Sequence, residues 1–269
     1  MNNPADLRII MRGAGDLATG VALRLHRSGF KRLLLLETEH PLAVRRLVSF
    51  SEAINIGKVS IEDVTAMRID DVEILEQWLP ENTIPIVIDP TGESIRKLQP
   101  DIVIDAIIAK RNLGTGIDDA ELVIGLGPGF TAGRDVNCVI ETKRGHNLGR
   151  VIHDGIAAPD TGIPGDIGGY TNERLLRAPN AGTFETNCNI GDRVSKGDCV
   201  ATVDSSPVTA NISGVIRGLL RSATPVDKST KLGDIDPRGK VTFCTTASDK
   251  AMAVGGGVLE AILSSYNSP

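Results

Sequence analysis

The stretch RGAGDLATG, Arg12 to Gly20, holds residue types whose spacing could receive a phosphate. Gly13-x-Gly15-x-x-Ala18 has the spacing of a dinucleotide-binding turn. There the first glycine permits a tight reversal, and the second lets backbone amides approach a pyrophosphate at a helix N-terminus. The small third residue lets the helix lie close to the preceding strand. Glu37 stands 22 positions after Gly15 (37 − 15), about where such sites carry an acid for the ribose hydroxyls. The expected contacts are Gly13, Ala14, Gly15, Asp16, Leu17 and Ala18, with Glu37 on the ribose. Two readings of the turn stand side by side, a ligand cradle and a bare tight turn. Asp16 is the awkward member, a carboxylate where a phosphate would lie. It is either a helix-start acid that satisfies free amides and suits the dipole, or a group that holds a cation or accepts a hydrogen bond from a neutral part of the ligand.

Other chemistry-bearing residues follow later apolar runs. Lys110 and Arg111 could neutralise phosphates, Arg by bidentate contact, or be ordinary surface charge. Gly127 and Gly129 flank Pro128 after another run. In open α/β sheets the carboxyl ends of strands line the ligand site, which brings these loops to the first turn. His146 has no second histidine or cysteine at ligand spacing, so no metal site is expected. The four cysteines, 138, 188, 199 and 244, form no CxxC pair and read as reduced thiols. Cys188 is expected in the core, and Cys199 and Cys244 are the better thiol candidates.

The elements that must position these residues are legible as periodicity. Residues 7–11 (LRIIM) form a buried strand, and 16–28 form a helix with its apolar stripe at Leu17, Val21 and Leu25. Leu33 to Leu36 is the next strand, which completes a βαβ unit. Further strands are expected at 84–89, 101–108 and 122–126, with a helix over 71–79 and two short strands within 138–152. Gly255-Gly256-Gly257 precedes a helix expected at 258–263. That stretch is either a second anion contact or, preferably, a return that packs the last helix.

The second half repeats itself. GTFETNCNIGDRVSKGDCV from Gly182 lies over GVIRGLLRSATPVDKSTKL from Gly214, an offset of 32 (214 − 182). Phe184 then matches Ile216, and Val194 matches Val226. Alternation at 184, 186 and 188 implies strands with one buried face. GDRVSKGDCVATV resembles the hairpin of biotinyl/lipoyl barrel-sandwich domains. Carrier members of that family bear a lysine on the turn between halves. Here Val203 to Val208 holds none, so neither biotin nor lipoyl attachment is expected, and Lys196 and Lys228 read as solvated turn charges.

The expected architecture is an α/β Rossmann-like N-terminal domain plus an all-β barrel-sandwich hybrid (biotinyl/lipoyl-like) C-terminal domain. Its parts are 1–152, a connecting loop 153–177, the β domain 178–247, and 248–269 packing back on the first. With 41% apolar residues and 3% aromatics, Leu, Ile, Val and Ala must fill the cores. A net charge of −5 gives no field to attract nucleic acid. The longest aliphatic run, Leu33 to Leu36, is far below the roughly 20 residues of a membrane span. The N-terminus lacks signal-peptide pattern, so a cytoplasmic protein is expected.

Taken together, RGAGDLATG, GLGPGFTAGRDVNCVIET, RGHNLGRVI, GIPGDIGGYTNERLLRAP, KLGDIDPRG and SDKAMAVGGGVLEAIL resemble the YqeB family, accessory proteins of selenium-dependent molybdenum hydroxylase systems. The first half is also distantly similar to XdhC-type maturation proteins. The resemblance implies a bacterial maturation factor with a molybdenum hydroxylase client. Its ligand at the glycine turn would be a molybdopterin dinucleotide or another molybdenum-cofactor species. No catalytic residue comes with the resemblance. The competing readings are an NAD(P)- or flavin-dependent oxidoreductase, with His146, Lys110 or Asp105 as proton donor, and a scaffold with a vestigial pocket.

Overall fold

The computed structural model describes residues 6–73, 80 and 82–266. The chain divides into two compact units. One comprises Met1–Pro41, Ser49–Thr161 and Ala247–Pro269, the other Leu42–Val48 and Gly162–Thr246.

In the first unit, β1 (Arg8–Arg12), β2 (Arg32–Glu37), β3 (Lys58–Ile61), β4 (Val64–Arg68), β5 (Thr83–Ile88), β6 (Ile102–Asp105), β7 (Leu122–Leu126), β9 (Cys138–Ile140) and β10 (Val151–Ile152) form one sheet. Two short strands, β8 (Thr131–Ala132) and β11 (Gly155–Ile156), pair apart from it. The order across the large sheet is β10-β9-β7-β6-β1-β2-β5-β4-β3. β10 and β3 are antiparallel to their neighbours, and the strands between run parallel. Central strands are apolar throughout because both faces are covered, and alternate residues divide between two cores. Ile9, Met11, Leu33, Leu35, Ile102 and Ile104 join one core; Ile10, Leu34, Leu36 and Val103 join the other.

Helix α1 (Asp16–Arg27) buries Ala18, Val21, Ala22 and Leu25 on the first core, and Leu17 is buried as well. Short helices α2 (Glu52–Ile56) and α3 (Glu93–Leu98) follow, and α4 (Asp249–Tyr266) ends the described chain. The three glycines lie inside α4, not before it, which corrects the expected helix start at 258. Each costs roughly 1 kcal/mol of helix propensity, and close packing overrides that. A side chain at Gly255 would begin 3.0 Å from the Gly20 carbonyl oxygen, and one at Gly20 would begin 2.5 Å from the Ala251 Cβ. The small residues let α1 and α4 touch backbone to backbone.

In the second unit, β12 (Leu175–Arg177), β13 (Gly182–Glu185), β14 (Arg193–Val194), β15 (Cys199–Val203), β16 (Ser206–Thr209), β17 (Gly214–Leu219), β18 (Thr224–Val226) and β19 (Lys231–Asp236) make two antiparallel sheets. Their orders are β12-β19-β17-β14 and β16-β15-β13-β18. The 32-residue offset carries β13 onto β17, β14 onto β18 and β15 onto β19. Each sheet nevertheless mixes the copies: β13 pairs with β18, and β14 with β17. Phe184, Val203, Ile216, Leu219, Leu232 and Ile235 fill the core between them.

This topology overturns the expected Rossmann-like domain plus biotinyl/lipoyl-like barrel-sandwich. The first unit is one large mixed sheet with antiparallel edges, and the second is a pair of four-stranded antiparallel sheets. The opening strand–helix–strand unit does not continue along the whole half. Apolar runs read alike whether helices or loops join them, and no helix joins β6 to β7 or β7 to β9. In the second half, alternation assigns faces but not sheet partners. The strand expected at 101–108 stops at Asp105. Residues 74–79 of the helix expected at 71–79 lie outside the described residues. Among the described residues, no helix is long and apolar enough to cross a membrane.

Candidate functional site

The carboxyl ends of β1, β2, β5, β6 and β7 share one edge of the first unit's sheet, and the glycine turn joins β1 to α1 there. Gly13 has φ +93°, and a Cβ on it would start 2.9 Å from the Ala106 carbonyl oxygen and 3.0 Å from Ile107 Cα. Its amide donates to the Leu36 carbonyl at 2.7 Å. Gly13 is therefore required by the chain's own backbone. Gly15 is not: it caps α1 at φ −66° and ψ −173°, and a Cβ there would meet nothing within 4 Å. The side chains of Leu17 and Ala18 point into the core, so only their amides face the helix start. With Asp16 they form its first turn, whose amides have no carbonyl four residues back within the helix.

Glu37 stands at the end of β2, beside this turn. Its Oε2 accepts the Ala14 amide at 3.0 Å, and its Oε1 accepts the Thr38 amide at 2.8 Å. The sequence placed Glu37 at a ligand's ribose. In the structure it ties the turn to β2.

Two side chains that the sequence did not single out, Arg12 and Thr115, meet Asp105 between β1 and β6. Arg12, buried at the end of β1, donates from Nη1 to Thr115 Oγ1 at 2.5 Å and from Nη2 to the Leu113 carbonyl at 3.3 Å. Thr115 Oγ1 donates in turn to Asp105 Oδ2 at 2.6 Å, and Asp105 Oδ1 accepts the Ile107 amide at 3.1 Å. The Arg12 and Asp105 charges lie 3.7 Å apart, bridged by that hydroxyl. Burial pushes the Asp105 carboxyl above its usual range, against the Thr115 hydroxyl, the Ile107 amide and Arg12. One signal could have revealed Arg12: an arginine closing an otherwise apolar strand must find a buried partner.

Asp89, after β5, behaves oppositely. Burial opposes its ionised form, yet the amides of Ser94, Glu93 and Gly92 hold the carboxyl below its usual range. Those bonds, at 2.7, 3.0 and 2.8 Å, close the start of α3.

Lys110 pairs with Asp160 at 2.6 Å on the surface. Arg111 is exposed, and its backbone fills the space beside Gly129, where a Cβ would start 2.7 Å from the Arg111 nitrogen. Gly127 has φ +75°, and a Cβ on it would lie 2.5 Å from Thr142 Oγ1. His146 is exposed. Among the described residues, no group of three or more His, Cys, Asp or Glu is placed to hold a metal ion.

The second unit gathers a separate polar cluster. Arg217 donates to Asp234 at 2.8 Å and to Asp236 at 3.3 Å, Arg174 pairs with Asp234, and Arg238 pairs with Asp236 at 2.6 Å. Burial opposes the Asp236 carboxylate, but Arg238 and Arg217 hold its carboxyl below the usual range. Cys244 is buried beside this cluster and its thiol is pushed up by burial, so it is not the accessible thiol expected of it. Cys199 is exposed, Cys188 is half-buried, and burial pushes Cys138 up to about 11.

No protein-family model matches the chain. It is 46% identical over 255 residues to "Uncharacterized protein YqeB" of Escherichia coli (strain K12), an alignment covering 95% of the chain and 47% of that protein. The chain thus spans about half the length of this relative. Among solved structures, it is similar to TcdA (CsdL) at 14% identity, covering 98% of this chain and 89% of the other, with a TM-score of 0.34. An aspartoacylase family protein from Mesorhizobium loti aligns at 13% identity over 84% and 83%, with a TM-score of 0.28. A succinylglutamate desuccinylase/aspartoacylase from Rhodobacter sphaeroides aligns at 13% over 85% of each chain, with a TM-score of 0.25. Similarities this low assign no activity.

Proposed function

We propose, from its similarity to YqeB, that the chain is an accessory or maturation factor for selenium-dependent molybdenum hydroxylases. In this reading it works in the cytoplasm on a molybdenum hydroxylase client. Its ligand is a dinucleotide-bearing species, a molybdopterin dinucleotide, seated at the turn Gly13–Ala18. The observation that carries the reading is the open space at Gly15, where neither backbone angle nor packing calls for glycine.

The residues present fit a pyrophosphate-linked nucleotide. The first-turn amides of Asp16, Leu17 and Ala18 face the positive end of a helix of 12 residues. Within the protein Glu37 accepts the Ala14 amide on Oε2 and the Thr38 amide and hydroxyl on Oε1, and Oε2 retains a lone pair for a ribose hydroxyl. Asp16 would sit beside the phosphates, which favours a ligand that presents a hydroxyl or a bound cation at that point. The chain's own part is to bind and orient, and no bond-making step is assigned to it.

Asp105 favours a second reading. A buried carboxyl with a raised pKa beside a nucleotide turn suits a proton donor in an NAD- or flavin-dependent oxidoreductase. Mass spectrometry of the small molecule that co-purifies, followed by titration with a molybdopterin dinucleotide, NAD, NADP and FAD, separates the two. Selective binding of the molybdopterin species supports the maturation role. Selective binding of NAD or FAD supports the oxidoreductase, and no binding of any of them contradicts both.

A further inference from the structure

The segment 106–115, between β6 and β7, runs directly beside the glycine turn. Gly13 lies against Ala106 and Ile107, as the close approach of its Cβ position shows. The segment is held in a form that its sequence does not favour. Ile108 and Lys110 have φ of +60° and +62°, a region that β-branched and bulky residues rarely enter. Two buried charges at the strand ends hold it there. Asp105 grips its start through the Ile107 amide, Arg12 grips its end through Leu113 and Thr115, and the Thr115 hydroxyl joins the two grips. Asn112 closes the last turn, accepting the amides of Gly114 and Thr115 and donating to the Thr115 carbonyl. Backbone in sparsely populated regions persists where surrounding structure over-determines it, and such places cluster at ligand clamps.

We infer that Arg12 and Thr115 are positioning residues: through the Arg12–Thr115–Asp105 chain they fix segment 106–115 as the wall of the glycine-turn site, opposite Glu37. The inference rests on the proposed dinucleotide site. Neither side chain need touch the ligand. Arg12 sits one residue before the turn and sets the wall from beneath it, so the strand that leads into the turn also sets the width of the site. The hydroxyl of Thr115 is the sensitive point. It accepts from the cation while donating to the carboxylate, and a methyl in its place would leave both buried charges short of a partner.

The test uses the full chain with molybdopterin dinucleotide, NAD and FAD as probes, read by calorimetry and by amide hydrogen exchange. In the wild type, the binding probe protects amides in both 14–18 and 107–115. In Thr115→Val, affinity falls by about tenfold or more, and protection remains at 14–18 but is lost at 107–115. Thr115→Ser, which keeps the hydroxyl, restores wild-type affinity and both sets of protected amides. If Thr115→Val fails to fold, Arg12→Lys, which keeps the charge but loses the fork, replaces it with the same expected split. Equal affinity of wild type and Thr115→Val, or of wild type and Arg12→Lys, overturns the inference and leaves the site reading intact. Failure of the wild type to bind any of the three probes overturns the site reading, and this inference with it.

Discussion

Two glycine turns close the same edge of the nine-stranded sheet, and what surrounds them differs. At Gly127 and Gly129 the missing side chains are filled by the protein: Thr142 crowds one and the Arg111 backbone the other. At the first turn, Gly13 is crowded in the same way, by Ala106 and Ile107, but Gly15 opens onto empty space with an ordinary backbone angle. The second turn needs its glycines in order to fold. The first needs one glycine to fold and holds another that folding does not require. Glycine content alone cannot separate the two cases. The space around each α-carbon separates the two turns, and the proposed ligand site rests on the open space at Gly15.

The contrast is broken most forcefully at the crowded positions. Gly127→Ala and Gly13→Ala combine an unfavourable positive φ with a clash, and each should lose about 2–4 kcal/mol of stability in urea unfolding. A loss below about 0.5 kcal/mol at either would remove the distinction between required and unrequired glycines. Next in size, Glu37→Gln replaces a carboxylate that takes two amides with an amide group that has one acceptor oxygen. It should cost about 1 kcal/mol and weaken dinucleotide binding as well. Equal affinity would leave Glu37 a staple only.

Acid titration sharpens the comparison between neighbouring strand ends. Asp89 has a folded pKa below its ordinary 3.8, so its stabilisation is present above that value and is lost as pH falls through the folded pKa. Asp105 is raised above 3.8, so the native state binds the extra proton. Its contribution is full below 3.8 and declines as pH rises through the folded value. Urea midpoints followed through the acid range should therefore show a shallower acid-side loss in Asp89→Asn and no such decline in Asp105→Asn. Opposite slopes would refute these environments. The smallest effect belongs to Asp16→Asn. At the start of α1 it should cost about 0.3–1 kcal/mol, and a change in ligand affinity beyond that would show that Asp16 touches the ligand.

The sequence made the opening β1–α1–β2 unit legible because strand, glycine turn and helix each leave a local mark. The later half of the sheet was not legible in the same way. Its strands look alike in sequence whether helices or loops connect them, and loops connect β6 to β7 and β7 to β9. The helical glycines of α4 misled for a different reason: a glycine run resembles a turn until Gly20 and Val21 are seen pressed against Gly255, and Gly149 against Gly257. In the second unit the 32-residue repeat was plain. The pairing of β13 with β18 and of β14 with β17 was not, because a repeat records likeness and not which copies bond. At the site, Gly13 and Glu37 announced themselves by spacing. Arg12 and Thr115 stand 103 residues apart and meet only through the sheet.

Gly15→Asp tests the central claim most directly. Aspartate is a favoured residue at a helix start, and the site has room for it. Folding stability should therefore hold within about 0.5 kcal/mol of wild type, while a carboxylate in the phosphate's place should weaken molybdopterin dinucleotide binding by about tenfold or more. Unchanged affinity in a fully folded Gly15→Asp protein would contradict the account.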